Sequence, residues 1–277
     1  MLKKGDFSYK HQRVFLFILI SIIGFTGSVN AQSVMGARSV AMGQTGVATP
    51  ANEWAVFSNV ALIQNDQTSI SFYGFRYAGF AEITDMAANI VVSHRFGTLA
   101  AGFHRYGFDL FNENQIRLTW KNSFDVFHYG LSVHYLHITQ GGNYGSAGAI
   151  GIDIGVAAFI RDQFIIGSRA TNINQPSYGS TDEQLPRELA IGFSYFPIPQ
   201  FLITMDLVKD VLFPISVRSG FEFELIDSLF ARAGITTSPQ TWSLGFGYNT
   251  HSFTTDIAIQ NHEVLGISPA LGLTVKF

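Results

Sequence analysis

Hydrophobic and polar residues alternate along most of the chain after about residue 67. The segments 115–121, 150–156 and 242–249 read QIRLTWK, IGIDIGV and WSLGFGYN. A period of two places one set of side chains on each face of a β-strand, so each segment predicts a strand with one apolar and one polar face. The alternation recurs about every 15 residues and indicates about 14 strands, an even number as in single-chain outer-membrane barrels.

The connections between these segments predict the topology. Short turns are expected at 96–98, 161–163, 197–200, 226–228 and 249–252, and longer loops at 139–148, 172–186 and 260–268. The last segment, LGLTVKF at 271–277, would expose an apolar sheet edge unless it paired with the first strand. We therefore predict an all-β fold, a transmembrane antiparallel β-barrel formed by residues 67–277 that closes last strand to first.

Composition favours a barrel that faces lipid. Charged residues make up 13% of the chain and aromatic residues 14%, and there are 27 glycines and no cysteine. A soluble domain carries about 25% charged residues. The alternative, a soluble β protein with its apolar faces turned inward, would lack the charges to coat its surface.

The N-terminus predicts export. Lys3, Lys4, Lys10 and Arg13 precede an apolar run at 14–25, and small residues at 29–31 suit cleavage before Gln32. The run is shorter than the ~20 residues of a spanning helix. Residues 1–31 are therefore predicted to be a signal peptide. The remaining chain has 13 basic and 19 acidic residues, a formal charge of −6, which argues against nucleic acid as a partner.

Export and the predicted barrel together place the protein in the bacterial outer membrane, with outer-membrane lipid as a partner. Phe277, an aromatic at the end of an alternating strand, resembles the signal read by the barrel-insertion machinery. That machinery is therefore a second expected partner.

Residues 32–66, which we call the hatch, do not alternate. Gly36, Gly43 and Gly46 predict tight turns, and residues 54–62 a short helix. Eight strands enclose a lumen that side chains fill, whereas about 14 leave room for a plug. We expect the hatch to occupy the lumen and to bury Trp54 and Phe57. The alternative is an arm that lies outside the barrel.

The hatch also resembles a known family. GARSVAMGQTGVAT at 36–49, with Arg38–Ser39 and Met42–Gly43, followed by AVFSNVALI at 55–63, is similar to the N-terminal hatch of the FadL-like superfamily. The Asn-Pro-Ala turn of that hatch reads Asn59–Val60–Ala61 here. Within the superfamily, the stretches at 148–158, 167–176 and 185–197 look like PorV/PorQ-type barrels.

The PorV/PorQ resemblance implies an accessory role in type IX protein secretion or surface delivery, with secretion-system components or cargo proteins as partners. The alternative that the wider resemblance implies is a FadL-like transporter of small hydrophobic molecules. Transport needs an apolar pocket. The inward parity instead carries ten charged residues, which favours the accessory role: Arg117, Lys121, Asp153, Arg169, Asp206, Arg218, Glu222, Glu224, Arg232 and Asp256.

Signals for chemistry are weak. The histidines are scattered without a metal-ligand spacing, and no serine lies in a nucleophile elbow. We therefore predict no enzyme activity, no metal and no cofactor.

Six of the inward charges are predicted to pair across hairpins. In a hairpin, paired residue numbers have a constant sum, twice the number at the turn centre. Turns centred near 161, 212 and 227 place Asp153 opposite Arg169, Asp206 opposite Arg218, and Glu222 opposite Arg232. We predict three carboxylate–guanidinium pairs inside the barrel, because directly opposed charges stabilise a sheet.

Overall fold

The computed structural model describes residues 34–64, 67–80, 82–141, 145–179, 183–211 and 213–277. Fourteen antiparallel strands form a closed barrel in which each strand pairs with its neighbours in the chain. The predicted fold class is therefore confirmed, whereas the predicted signal peptide lies outside the described residues. The strands are β1 (Ser69–Phe75), β2 (Thr84–His94), β3 (Gly97–Phe108), β4 (Phe111–Phe124), β5 (Phe127–Gln140), β6 (Gly145–Ile160), β7 (Phe164–Ala170), β8 (Glu188–Ile198), β9 (Phe201–Asp210), β10 (Ser216–Ile226), β11 (Leu229–Thr237), β12 (Gln240–Asn249), β13 (Phe253–His262) and β14 (Gly266–Lys276).

The barrel closes between β1 and β14. The register runs from Ser69 opposite Lys276 to Phe75 opposite Ala270. Beyond the strand, the Phe277 N–H donates to the Thr68 carbonyl at 2.9 Å. Closure gives both strands a partner on each side, which removes the sheet edge that the last segment would otherwise expose.

The two parities of the strands face different surroundings. On β12, Trp242 and Phe246 are 43% and 52% exposed, whereas Ser243 between them is 1% exposed. The apolar parity therefore faces outward and the polar parity faces the lumen. The alternative of a soluble protein with inward apolar faces is wrong.

No helix within the described ranges is long and apolar enough to cross a membrane.

The connections differ between the two ends of the barrel. At one end, no connection between consecutive strands exceeds three residues. At the other end, 76–83 joins β1 to β2, and 171–187, which we call the β7–β8 loop, joins β7 to β8. The long loops predicted at 139–148 and 260–268 are wrong: β5 continues to Gln140 and β6 begins at Gly145, while β13 ends at His262 and β14 begins at Gly266. The glycine and polar residues at these strand ends lie beyond the part of the strands that carries outward apolar side chains.

The described part of the hatch lies inside the barrel. Its one α-helix, α1 (Ala37–Ala41), packs on β1 and β11–β14. A 3₁₀ helix at Glu53–Phe57 packs on β1–β3, and a second at Val60–Leu62 packs on β4–β6. The single short helix predicted over 54–62 is therefore wrong, because Ser58 leaves the helical conformation and separates two turns. The apolar core lies between the hatch and the wall and includes Val40, Trp54 and Val60.

Two wall glycines let the hatch backbone approach closely. A Cβ atom built on Gly234 would overlap the backbone of Met42 and Gly43, and one on Gly220 would overlap Met42. At Gly74, by contrast, nothing lies within 4 Å of an added Cβ. The absence of a side chain at 220 and 234 is thus a condition for seating the hatch.

We expect Gly234→Val to displace residues 42–43 from the wall, since overpacking of this kind costs about 1–3 kcal/mol. Limited proteolysis of the folded protein in detergent should then cut within 34–64 faster than in the wild type. Gly74→Val is the matched control and should leave the cleavage rate unchanged. Equal rates in both variants would contradict this account of the packing.

Candidate functional site: the hatch and its charged anchors

The fold of the hatch depends on two glycines with positive φ. Gly36 precedes α1 with φ 98°, and Gly43 follows it with φ 68°. A Cβ atom on Gly43 would lie 2.6 Å from the backbone nitrogen of Ile235. Gly43 therefore serves both the turn that ends α1 and the contact with β11. Ser39, within α1, is buried.

Two asparagines begin the 3₁₀ helices. The Asn52 side chain accepts the Trp54 N–H at 3.0 Å, and the Asn59 side chain accepts the Ala61 N–H at 3.1 Å. Asn59 also donates through Nδ2 to the carbonyls of Val47 at 2.7 Å and of Val156, on β6, at 3.1 Å. Asn59 thus caps a helix and ties the hatch to the wall.

Aromatic side chains bind one side of the hatch to the wall. Trp54 and Phe57 are both buried. The ring of Trp54 meets that of Tyr73 on β1 edge to face at 5.6 Å, and Phe57 meets His104 on β3 at 6.4 Å. Beside them, Asp85 lies 3.0 Å from His104 Nε2 and accepts the Tyr77 hydroxyl at 3.1 Å. The Asp85–His104 pair was not predicted from the sequence, although both residues share the lumen parity.

Arg38 is the most strongly bound charged residue of the hatch. It donates to both oxygens of Glu222 on β10, at 2.8 and 2.7 Å, and through Nη1 to the carbonyls of Pro50 and Ala51. Burial alone would lower the pKa of Arg38, but the Glu222 carboxylate outweighs it and raises the pKa above the ordinary value. A bidentate pair of this kind fixes geometry as well as charge.

The charges around Arg38 alternate in sign. Arg232 on β11 donates to Glu222 at 2.5 Å and to Asp256 on β13 at 2.6 Å. Glu222 and Arg232 are directly opposed in the register, as expected from the turn at 227. Nearby, burial raises the pKa of Glu53, and Lys276 lies 4.0 Å from its carboxylate.

A second anchor lies on β9 and β10. Asp206 and Arg218 are directly opposed in the register. The Asp206 carboxylate, however, accepts the N–H groups of Gly46 and Val47 at 2.8 and 3.0 Å, and Arg218 donates to the Gln44 carbonyl at 3.1 Å. The predicted register of Asp206 and Arg218 is therefore confirmed, but the hydrogen bonds described for both side chains are to the hatch backbone.

The predicted pair of Asp153 and Arg169 is wrong. Arg169 lies opposite Gly155 and pairs with Glu188, the first residue of β8. Asp153 instead accepts from Arg117 Nη1 at 2.6 Å, and His134 Nδ1 lies 3.3 Å away. The turn at Arg161–Gln163 is centred one residue later than assumed, which moves the partner of Asp153 beyond the end of β7.

Within the described residues, no group of three or more histidine, aspartate or glutamate side chains is arranged to hold a metal ion. The polar groups described above instead fix the position of the hatch in the lumen. The charged residues of β9–β11 and β13, and Arg117 on β4, hold a plug across the lumen.

No family model and no curated protein matches the sequence. Solved structures do. The Pseudomonas putida toluene transporter TodX matches with a TM-score of 0.61 at 12% identity, over 88% of this chain and 97% of TodX. The barrel shares its fold with TodX. The monoaromatic hydrocarbon channel CymD gives a TM-score of 0.66 at 12% identity, with 89% and 98% covered. A Pseudomonas aeruginosa FadL homologue gives 0.58 at 11%, with 88% and 98% covered.

At these identities the likeness to FadL-like proteins concerns the fold alone. TodX is described as a transporter and CymD as a channel.

We expect Arg38→Ala to lower the free energy of unfolding by about 3 kcal/mol, because it removes one partner of a buried charge pair. Arg38→Lys should recover only part of the loss, since an ammonium cannot form the bidentate pair. Denaturant titration in micelles measures both, with Arg161→Ala, at an exposed turn, as the control. A free energy of unfolding equal to that of the wild type in Arg38→Ala would show that the Arg38–Glu222 pair does not stabilise the fold.

Proposed function

We propose that the protein is an outer-membrane channel for small hydrophobic molecules, with the hatch as its movable plug. The observation that carries this proposal is a hatch enclosed by a closed 14-stranded barrel, a fold shared with monoaromatic hydrocarbon channels. The outward apolar parity suits outer-membrane lipid. An export signal at 1–31 and recognition of Phe277 by the barrel-insertion machinery are parts of the same proposal.

Passage requires the hatch to move. Hatch segments contact most of the circumference: α1 packs on β11–β14, the two 3₁₀ helices pack on β1–β6, and Val47 packs on Ala190 and Val208 of β8 and β9. A molecule that crosses the lumen must displace some of these contacts. A covalent tie between the hatch and the wall should therefore stop transport without changing the barrel.

The chain offers a suitable pair of positions for that tie. A Cβ atom on Gly272 of β14 would lie 3.5 Å from the Cβ of Ala37 in α1, within the range of about 3.5–4.5 Å that a disulfide spans. The wild type has no cysteine, so the new bond has no competitor.

We expect cells that express the wild-type protein to take up radiolabelled toluene several-fold faster than cells with an empty vector. Ala37→Cys combined with Gly272→Cys should reduce uptake to the vector level when oxidised and restore it when reduced. Each single variant is the control and should transport normally. Vector-level uptake by the wild type would overturn the channel, and equal uptake in the two redox states would overturn the moving hatch.

A second candidate is an accessory barrel of PorV/PorQ type in protein secretion or surface delivery. The observation that favours it is the polar lumen, where buried residues such as Arg117, Lys121 and Arg169 take the place of an apolar pocket. Affinity purification from native outer membrane tests it. This candidate predicts co-purified secretion components or cargo proteins, retained by the oxidised double-cysteine variant, and toluene uptake at the vector level. The absence of such proteins from the purified barrel would speak against it.

A further inference from the structure

Beside the first half of β6, the β7–β8 loop takes the position that a neighbouring strand would occupy in the barrel wall. β6 is 16 residues long and β7 only 7, and they pair only from Ile154 opposite Ala170 to Ile160 opposite Phe164. The first half of β6 pairs with β5 on one side. On its other side β7 has ended, and the β7–β8 loop lies there instead.

The loop binds β6 with groups that imitate a strand. The Ile173 N–H donates to the Ile152 carbonyl at 2.9 Å. The Asn174 side chain accepts the Ile152 N–H at 2.9 Å and donates to the Ile150 carbonyl at 2.8 Å. The Asn174 side-chain amide thus forms the pair of hydrogen bonds to β6 that a peptide group of a neighbouring strand would form. An amide on an exposed loop can leave more easily than a strand held by a continuous ladder.

Asp153 joins this loop to the hatch. Its Oδ1 accepts the Asn172 N–H at 2.8 Å, and its Oδ2 accepts from Arg117 Nη1. The same Nη1 donates to the Val56 carbonyl of the hatch at 3.3 Å, and the Arg117 guanidinium lies 5.7 Å from the centre of the Phe57 ring. The two oxygens of one buried carboxylate therefore hold the loop on one side and, through Arg117, the hatch on the other.

We propose that Asp153 couples the β7–β8 loop to the hatch, so that release of the loop from β6 loosens the hatch around residues 53–63. Asp153 is 3% exposed with the loop in place. When the loop leaves, water reaches the carboxylate, and its attraction for Arg117 weakens because the local dielectric constant rises. Arg117 then loses the partner that orients it toward Val56 and Phe57. The coupling is a property of the fold and holds whatever the barrel carries.

The coupling is confined to one part of the hatch. α1 is held by Arg38, Glu222, Arg232 and Asp256, none of which touches the loop or Asp153 in the hydrogen bonds described here. Loosening around 53–63 should therefore leave α1 in place. This difference separates coupling from general destabilisation.

Two nearly isosteric reporters test the proposal in the purified full-length barrel. Ser58→Cys lies within the coupled segment, and Ser39→Cys lies in α1; both serines are buried. Asn174→Ala removes the amide that binds β6. We expect it to accelerate thiol labelling of Ser58→Cys about thirtyfold, the factor that follows from losing two hydrogen bonds of about 1 kcal/mol each, and to leave Ser39→Cys unchanged.

The background variant Asp153→Asn weakens the tie to Arg117, so adding Asn174→Ala to it should give no further acceleration at Ser58→Cys. Gln184→Ala, an exposed position on the same loop, is the matched control and should label at the wild-type rate. Equal acceleration at both reporters, no acceleration at Ser58→Cys, or additive effects of Asn174→Ala and Asp153→Asn would each overturn the proposal.

Discussion

The structure depends on pairing the charges that the inner wall carries. Glu222, Asp206 and Asp153 are buried, and an unpaired buried charge costs several kcal/mol. The hatch and the wall supply the partners: Arg38 for Glu222, backbone N–H groups for Asp206, and Arg117 for Asp153. The wall therefore needs the hatch as much as the hatch needs the wall.

Small residues make this pairing possible. The hatch backbone can lie close to the wall at Gly220 and Gly234 because no side chain intervenes there. Charge and close approach thus act together, since the glycines bring the hatch within reach of the anchors. A plug held this way has a defined position, and its contacts are divided between separate groups of anchors, one on β9–β11 and β13 and the other on β4–β6.

The period of two in the sequence, together with the shortage of charged residues, was enough to predict the barrel, its closure and the lumen parity. Alternation separates the two faces of each strand, and the composition indicates which face is in contact with lipid. The pairing of charges was harder to predict. Glu222 and Arg232 are directly opposed because the turn between β10 and β11 is centred at residue 227, as the sequence predicts. One residue of error at Arg161–Gln163 was enough to remove Arg169 from Asp153. The partners from the hatch, such as Gly46 and Val47 for Asp206, follow no period at all, so the sequence held no signal for them.

The anchor between Arg38 and Glu222 joins residues that are 184 positions apart in the chain. Contacts of such long range form late, because the entropy of closing a long loop opposes them until intervening structure has formed. The ion pair between Arg38 and Glu222 can therefore form only after β10 has been incorporated into the sheet. The folding order that follows is one in which α1 is fixed in the lumen only after β10 has formed, later than the hatch residues that bind β4–β6.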